Sequence, residues 1–242
     1  MIRDLITAKR GEGYKPATIR NMLAPVRQMY NQAIEDGEPV GNPAAKFGKS
    51  NRGKQSTVIN LLSKEEVSAF LKKTLELKPE FYPLFLCAVR TGIRRGELIS
   101  LRAGDIDFEK RLIHVQRNFS RGTIKLRKSG RTRLVDMSAQ LAKVLAELKR
   151  TPEAPLFQTT AGTQLDESNL YKSFQSFLKD AQLRRIRFHD LRHTFDTQHL
   201  RNNISLAYIR DQLGHSSIKV TADLYGHLLP GDQTANADLL DD

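Results

Sequence analysis

The stretch FYPLFLCAVRTGIRRGELISL, residues 81–101, decides the fold of this 242-residue chain. Residues 81–90 are almost continuously apolar, which predicts a largely buried helix. The pair Thr91-Gly92 ends that helix, because glycine readily takes the left-handed conformation found at helix ends. Residues 94–101 predict a further short helix. The chain is long enough to bury such a helix in a substantial hydrophobic core.

The segments that follow combine one strand-rich region with several helices. Ser63 and Glu66 have the spacing of a capping box ahead of an apolar helical run. Residues 112–119, 122–127 and 132–137 alternate or cluster β-branched and apolar residues between glycine-containing turns, which predicts three short antiparallel strands. Helices are expected at 139–149, 167–181, 189–200, 206–213 and 218–225, with Gly214 and Gly226 as helix terminators. We predict a mainly α fold with a small three-stranded antiparallel β-sheet, an α+β protein.

The N-terminal part of the chain is separate from this region. Apolar residues from Ile19 to Ile34 follow the spacing of one amphipathic helix, with a kink expected at Pro25. Residues 35–57 are dense in Gly, Pro, Asn and Lys, as is typical of a linker. We therefore divide the chain into four segments: an N-terminal helical region at 1–48, a linker at 49–60, a main domain at 61–230 and a C-terminal tail at 231–242.

Charge composition indicates the kind of partner. Lys and Arg number 39 against 27 Asp and Glu, which gives a formal net charge of +12. Such an excess favours a polyanion, either nucleic acid or an anionic membrane surface. The longest apolar run, residues 82–89, is far below the roughly 18 residues that cross a bilayer, so no membrane insertion is expected. Cys87 lies in that run and predicts a buried thiol in a reducing compartment, which favours the cytoplasm.

Arg94 is the first candidate for chemistry. It follows the Thr-Gly turn at the start of a predicted helix, where a guanidinium could hold two phosphate oxygens beside free backbone amides. The simpler interpretation is an ion pair with Glu97 three residues later. These residues alone favour the ion pair.

A basic tract is the second candidate. The sequence KLRKSGRTR, residues 125–133, crosses a predicted hairpin and carries Lys125, Arg127, Lys128, Arg131 and Arg133. A cationic hairpin tip suits a groove lined by phosphates. Basic turns are also common in basic proteins, so the tract supports a DNA contact about as well as a solvated turn.

The third candidate is HDLRHTF, residues 189–195, where His189, Arg192 and His193 share one helix face. The zinc-protease helix pattern requires Glu at its second position, whereas Asp190 stands there and Arg192 would bring a cation towards a metal. We predict no metal site and no cofactor. Tyr225, just before Gly226, would usually be a packing residue, because a hydroxyl with a pKa of about 10 needs help to act as a nucleophile.

Four motifs in one order resemble the tyrosine recombinases, the phage integrase family. They are TGIRRGELISLRAGDIDF at 91–108, KSGRTRLVDMS at 128–138, HDLRHTF at 189–195 and LGHSSIKVTADLYGH at 213–227. Together they extend over most of residues 60–228. The resemblance implies a site-specific recombinase or integrase that cuts and rejoins duplex DNA through a 3′-phosphotyrosyl intermediate, without metal or ATP.

The resemblance also implies a role for each matching residue. Tyr225 would be the nucleophile, and Arg94 and Arg192 would hold the nonbridging oxygens of the scissile phosphate. His189 and His215 would support them.

Two further positions match the family pattern. Lys128 corresponds to the lysine that protonates the departing 5′ oxygen, although Lys125 and Arg127 stand beside it. Glu97 corresponds to an acidic position that supports the site.

The implied partners are duplex DNA, a homotetramer on that DNA, and DNA-bending or directionality proteins. A bacterial or phage-encoded protein associated with the nucleoid is expected. The candidates for electrostatic DNA contacts are Arg20, Arg27, Lys46, Arg121, Arg127 and Arg131; such phosphate contacts carry no sequence information directly.

The N-terminal region departs from the family. Residues 14–37, followed by Asn42-Pro43, resemble only the end of the family's helical core-binding domain, which has a SAM-like fold. This shortening motivates an alternative, a truncated non-catalytic DNA-binding remnant. A second alternative is a DNA-relaxing enzyme of the type IB topoisomerase kind. The acidic tail at 231–242 would either dock on a neighbouring protomer or fray.

Overall fold

The computed structural model describes residues 2–38, 40–45, 60–120, 122–126, 132–215 and 217–218. The chain divides into two compact units, Met1–Val58 and Ile59–Asp242. Within these described residues, no helix is both long enough and apolar enough to cross a bilayer.

The described residues of the smaller unit form two helices, α1 (Ile2–Gly11) and α2 (Pro16–Glu35). Proline suits the start of α2 because the first amides of a helix have no intrahelical acceptor. The predicted helix is confirmed, begins three residues earlier than its apolar pattern and continues through Pro25. Helix α1 was not predicted. The two helices share a small apolar cluster, which consists of Ile2, Ile6, Ile19, Leu23 and Ala44.

The larger unit is mainly helical. Its helices are α3 (Lys64–Leu77), α4 (Tyr82–Thr91), α5 (Arg95–Ile99), α6 (Ala139–Ala146), α7 (Glu167–Asp180), α8 (Phe188–Arg201) and α9 (Leu206–Leu213). Each was predicted within a few residues. Helix α6 ends before the predicted residue 149, and Lys149 takes a left-handed backbone conformation with φ of 46°. Of the predicted helix at 218–225, only Ile218 lies among the described residues.

Helices α3 and α4 form as their sequences predict. The Ser63 hydroxyl accepts the Glu66 amide at 3.1 Å, and the Glu66 carboxylate accepts the Ser63 amide at 2.8 Å, which completes the capping box. Helix α4 is buried along most of its length and packs Phe85 against Phe70 and Phe174. Cys87 is buried, as predicted, and burial raises its pKa to about 12, so this core thiol stays protonated.

A three-stranded antiparallel sheet is present, but its strands differ from those predicted. The order is β1 (Ile106–Asp107), β2 (Leu112–Val115) and β5 (Arg133–Asp136), while β3 (Arg117–Ser120) and β4 (Thr123–Leu126) form a separate hairpin. The single strand predicted at 112–119 is therefore wrong. It breaks at Gln116 into β2 and β3, which belong to different sheets.

Contacts with α5 and with the turn at Ala103–Asp105 explain this break. The Arg117 guanidinium pairs with the Asp105 carboxylate and lies 3.4 Å from the Ser100 carbonyl oxygen, which draws β3 away from the first sheet. The absence of a side chain on Gly96 lets the backbone of β3 lie directly against α5. A Cβ there would overlap the Phe119 carbonyl oxygen and lie 2.5 Å from Asn118 Oδ1. Strand alternation alone does not reveal such a contact.

We expect Gly96→Ala to lower the free energy of unfolding by about 1–3 kcal/mol, because the methyl group would overpack the contact with β3. Helix propensity alone predicts the opposite, since alanine stabilises a helix relative to glycine. Urea unfolding measures the net effect. Gly41→Ala is the matched control, because a Cβ at Gly41 would have no neighbour within 4 Å. Equal or greater stability of Gly96→Ala would contradict the assigned close approach.

Candidate active site

Arg94 is held where α4 ends and α5 begins. Gly92 has φ of 61° and ends α4 in the left-handed conformation. A Cβ at Gly92 would lie 2.6 Å from Leu213 Cδ2, so glycine also permits the close approach of α9. The Arg94 backbone amide and Nη1 both donate to Glu97, at 3.2 and 3.1 Å. The ion pair expected from the sequence therefore forms, and the Arg94 side chain stays 38% exposed and accessible to a ligand.

Arg192 joins the ends of two other helices. It lies on α8 and is only 3% exposed. Its Nη1 donates to the Gly92 carbonyl and its Nη2 to the Leu213 carbonyl, both at 2.7 Å. These are carbonyls at the C-terminal ends of α4 and α9, where helices leave acceptors unsatisfied. The guanidinium is thus fixed by backbone atoms of two elements.

Glu97 and Arg133 extend this network. Arg133 Nη2 donates to Glu97 Oε2 at 2.8 Å, and Arg133 Nη1 donates to the Leu213 carbonyl at 2.7 Å. Burial alone would raise the pKa of Glu97, but the charges of Arg133 and Arg94 outweigh it and lower that pKa below its usual range. Glu97 is therefore ionised and bridges two arginines.

Sequence reasoning counted Arg133 only as one cation of a basic tract. A usable signal was present, because Arg133 alternates with the apolar residues Val135 and Met137 in and just after β5, and alternate residues of a strand share one face. All three are buried. A charged residue on the buried side of a strand requires a partner.

Two histidines lie close to this network. His189 is in the first turn of α8, and His215 follows Gly214, which ends α9. Partial burial, followed by the charges of His193, Arg192 and Arg94, lowers the pKa of His189 to about 4. Partial burial, followed by Arg192 and Arg94, lowers the pKa of His215 to about 4 as well. Both imidazoles are therefore neutral at pH 7.

The two imidazoles predicted on one face of α8 are also adjacent. The rings of His189 and His193 meet edge to face with centroids 4.8 Å apart. No group of three or more His, Cys, Asp or Glu side chains that could hold a metal is found within the described part of the chain.

A cleft of about 420 Å³ opens beside these residues. Its charged and polar lining includes Arg94, Arg95, Asn118, Glu167, Arg187, His189 and Arg192. Arg95 and Arg187 were not predicted as site residues, although each stands within two positions of one that was. Arg95 pairs with Glu167 at 3.3 Å and Arg187 with Asp190 at 2.8 Å.

The cleft has an excess of positive charge. Burial, and then the charges of Arg94 and Arg133, lowers the pKa of Arg192 to about 9, which leaves this guanidinium protonated at neutral pH. A single carboxylate, Glu97, lies between Arg94 and Arg133. Such an arrangement suits an anion with several oxygens, and above all a phosphate.

The structure brings five of the predicted site residues together: Arg94, Glu97, His189, Arg192 and His215. Tyr225, the predicted nucleophile, and Lys128, the predicted acid, lie outside the described residues, as do Lys46, Arg121, Arg127 and Arg131. Two predicted DNA contacts, Arg20 and Arg27, lie on α2. Arg27 Nε donates to the Ala44 carbonyl at 3.3 Å, so that side chain also supports the fold of the smaller unit.

Curated relatives match nearly the whole chain. It is 29% identical to a tyrosine recombinase XerC-like protein of Caldanaerobacter subterraneus subsp. tengcongensis, over 96% of this chain and 67% of that protein. It is 25% identical to the ICEBs1 integrase of Bacillus subtilis, over 95% of this chain and 67% of that protein.

Solved structures share the fold. The Tn1549 transposon integrase in complex with a circular intermediate DNA superposes with a TM-score of 0.80 and 22% identity, covering 98% of this chain and 83% of that one. The family model described as the phage integrase family matches residues 60–231, well over half of the chain. The chain that carries this network of arginines and histidines therefore belongs to the phage integrase family, the tyrosine-type site-specific recombinases.

Proposed function

We propose that this protein cuts and rejoins duplex DNA at specific sites through a 3′-phosphotyrosyl intermediate on Tyr225. The observation that carries the proposal is the placement of Arg94 and Arg192 at one cleft, with Arg192 fixed by the Gly92 and Leu213 carbonyls. A phosphodiester under attack carries negative charge on its nonbridging oxygens. Guanidiniums already in place stabilise that charge without rearranging.

The proposed reaction conserves the energy of the phosphodiester bond. The Tyr225 oxygen attacks phosphorus and gives its proton to a neutral imidazole of the site or to water, while the bond from phosphorus to the 5′ oxygen breaks. Lys128 donates a proton to that oxygen, which leaves as a free hydroxyl. A 5′ hydroxyl from another strand then attacks the phosphotyrosine, restores the phosphodiester and releases Tyr225. No step in this sequence consumes ATP, and Arg94 and Arg192 supply the cationic charge that a metal provides in other phosphoryl-transfer enzymes.

Duplex DNA is the proposed partner, since the net charge of +12 favours a polyanion and the cleft favours phosphate. Strand exchange between two duplexes requires four active sites, so we propose a tetramer on DNA. Proteins that bend DNA or set directionality are proposed to assist assembly. Arg20 and Arg27 on α2 are proposed to contact the DNA backbone.

The first prediction from the proposed function is a covalent adduct that forms in EDTA and requires Tyr225. The substrate is a pool of duplexes with randomised arms and a nick just 3′ of the cleavage position. The short 5′-hydroxyl fragment then diffuses away and the adduct accumulates. Detergent gels detect protein-linked DNA, and sequencing of the trapped strands gives the preferred site.

Tyr225→Phe is the matched control and should bind the same DNA without forming the adduct. Salt-sensitive binding without any wild-type adduct would contradict the proposal and favour the non-catalytic remnant. Relaxation of supercoiled plasmid without site preference would favour the topoisomerase-like alternative.

The second prediction concerns Arg192. We expect Arg192→Ala to slow adduct formation by about 10²- to 10³-fold, the usual cost of one lost charge-stabilising donor. Arg201→Ala removes the same charge from an exposed position on the same helix and should leave the rate unchanged. Single-turnover cleavage measures both. Thermal unfolding identifies any loss of fold, because Arg192→Ala also removes the donor to two carbonyls. A wild-type rate in a folded Arg192→Ala protein would exclude the proposed role.

The third prediction is proton uptake on DNA binding. The free protein has depressed pKa values of about 4 at His189 and His215, below the ordinary histidine value of 6.5. A bound phosphate favours the charged imidazole and raises both values. At a pH above the free-protein pKa and below the raised pKa of the complex, the complex holds more protons than the free protein. The affinity for DNA should therefore rise as the pH falls from the raised pKa towards the free-protein value.

Calorimetry in buffers of different ionisation enthalpy, at about pH 5.5, measures this uptake. The double variant His189→Gln, His215→Gln should take up fewer protons. Equal uptake by the double variant and the wild type would show that other groups are responsible.

A further inference from the structure

Arg133 occupies a position that the proposed reaction does not use directly. It is the first residue of β5, pairs in register with Val115 of β2, and has a side chain that is only 5% exposed. Its guanidinium does not line the cleft, yet it contacts two groups that do position cleft residues: the Glu97 carboxylate and the Leu213 carbonyl.

We propose that Arg133 is a positioning residue that fixes Arg94, Arg192 and His215 relative to one another before DNA binds. This inference rests on the proposed function, because misplaced guanidiniums would slow DNA cleavage. It adds a residue that the four family motifs do not assign to the reaction.

The link to Arg94 runs through Glu97. Glu97 Oε1 accepts from Arg94 Nη1 at 3.1 Å, while Glu97 Oε2 accepts from Arg133 Nη2 at 2.8 Å. Each guanidinium therefore binds one oxygen of the carboxylate. Without Arg133, both carboxylate oxygens would be available to Arg94, which would be drawn towards Glu97 and away from a phosphate in the cleft.

The link to Arg192 and His215 runs through the Leu213 carbonyl. That oxygen accepts from Arg133 Nη1 and from Arg192 Nη2, each at 2.7 Å. Two like charges thus share one acceptor at the negative end of α9, which offsets part of their repulsion. His215 is two residues further along, and its backbone amide donates to the Arg210 carbonyl of α9 at 3.1 Å. Fixing the end of α9 therefore also fixes the backbone that carries His215.

Arg133→Met tests the proposal, because methionine has a similar length, packs well in a buried site and cannot donate. We expect single-turnover cleavage of the selected nicked duplex to fall by about a hundredfold, as for a small misplacement of reacting groups. Affinity for the duplex should change less than threefold. Arg133→Lys keeps the positive charge and a donor group at one position, so it should recover part of the rate. Arg150→Met removes an exposed cation from the same unit and should cleave like the wild type.

A neutral substrate separates positioning from a general loss of fold. Replacing one nonbridging oxygen of the scissile phosphate with methyl removes its negative charge and reduces the demand for two well-placed guanidiniums. The ratio of wild-type to Arg133→Met rates should therefore shrink at least tenfold on the methylphosphonate. An unchanged ratio, or a wild-type rate for Arg133→Met on ordinary DNA, would overturn the proposal.

A third measurement needs no cleavage. Burial and the charges of Arg192, Arg94 and His193 lower the pKa of His215, and the Arg133 charge adds to this effect. In Arg133→Met, the NMR titration midpoint of His215 should rise. The internal reference is His199, whose pKa is lowered by burial and not by a neighbouring charge. If the wild type forms no adduct, the proposed function fails. The titration still tests whether Arg133 acts on the His215 side chain. An unchanged His215 midpoint in Arg133→Met would overturn the proposed role of Arg133.

Discussion

The site depends on carbonyl groups at helix ends that accept from buried guanidiniums. Helices α4 and α9 both end in a left-handed glycine, Gly92 and Gly214. Each end leaves carbonyls without an intrahelical donor and carries the negative end of the helix dipole. The Arg192 side chain supplies donors to both ends at once, at 2.7 Å each. The Arg192 guanidinium thereby connects its own helix, α8, to the ends of α4 and α9, and two backbone carbonyls fix its position.

This arrangement also explains why the cation can be buried. Desolvating a guanidinium is costly unless its donors are satisfied, and removing one partner of such a buried group typically costs about 3–5 kcal/mol. Arg133 adds a second cation, and Glu97 supplies the carboxylate that partly balances both. The apolar core beneath, centred on α4 and the Phe70, Phe85 and Phe174 rings, holds these ends in place.

Local signals in the sequence predicted much of this. The capping box at Ser63, the glycine that ends α4 and the helical spacing of HDLRHTF each depend on neighbouring residues, and each is confirmed. The break between β2 and β3 could not be predicted in the same way. It depends on the fit of β3 against Gly96 and on the Arg117–Asp105 pair, which are contacts between distant segments.

The residues of the candidate site differ in the same way: some could be predicted from local motifs, and one depends on contacts between distant segments. Arg94, Arg192 and His189 stand in motifs that could be identified from short stretches. Alternation along β5 indicates that Arg133 is buried, but its partners, Glu97 and the end of α9, come from distant segments and could not be predicted. Its neighbours in the sequence are basic and indicate a solvated hairpin, so composition concealed a structural cation among surface ones.

The cations of the site repel one another. Burial is the largest cause that lowers the pKa of Arg192 and of His215, and the neighbouring cations lower both values further. A phosphate in the cleft would oppose this repulsion, because its negative charge favours every protonated form. Under the proposed function, DNA binding would relieve this repulsion, and the charge that accumulates on the phosphate oxygens during attack would relieve it further. Like charges on fixed helix ends would therefore bind the reacting phosphate more strongly than the unreacted one.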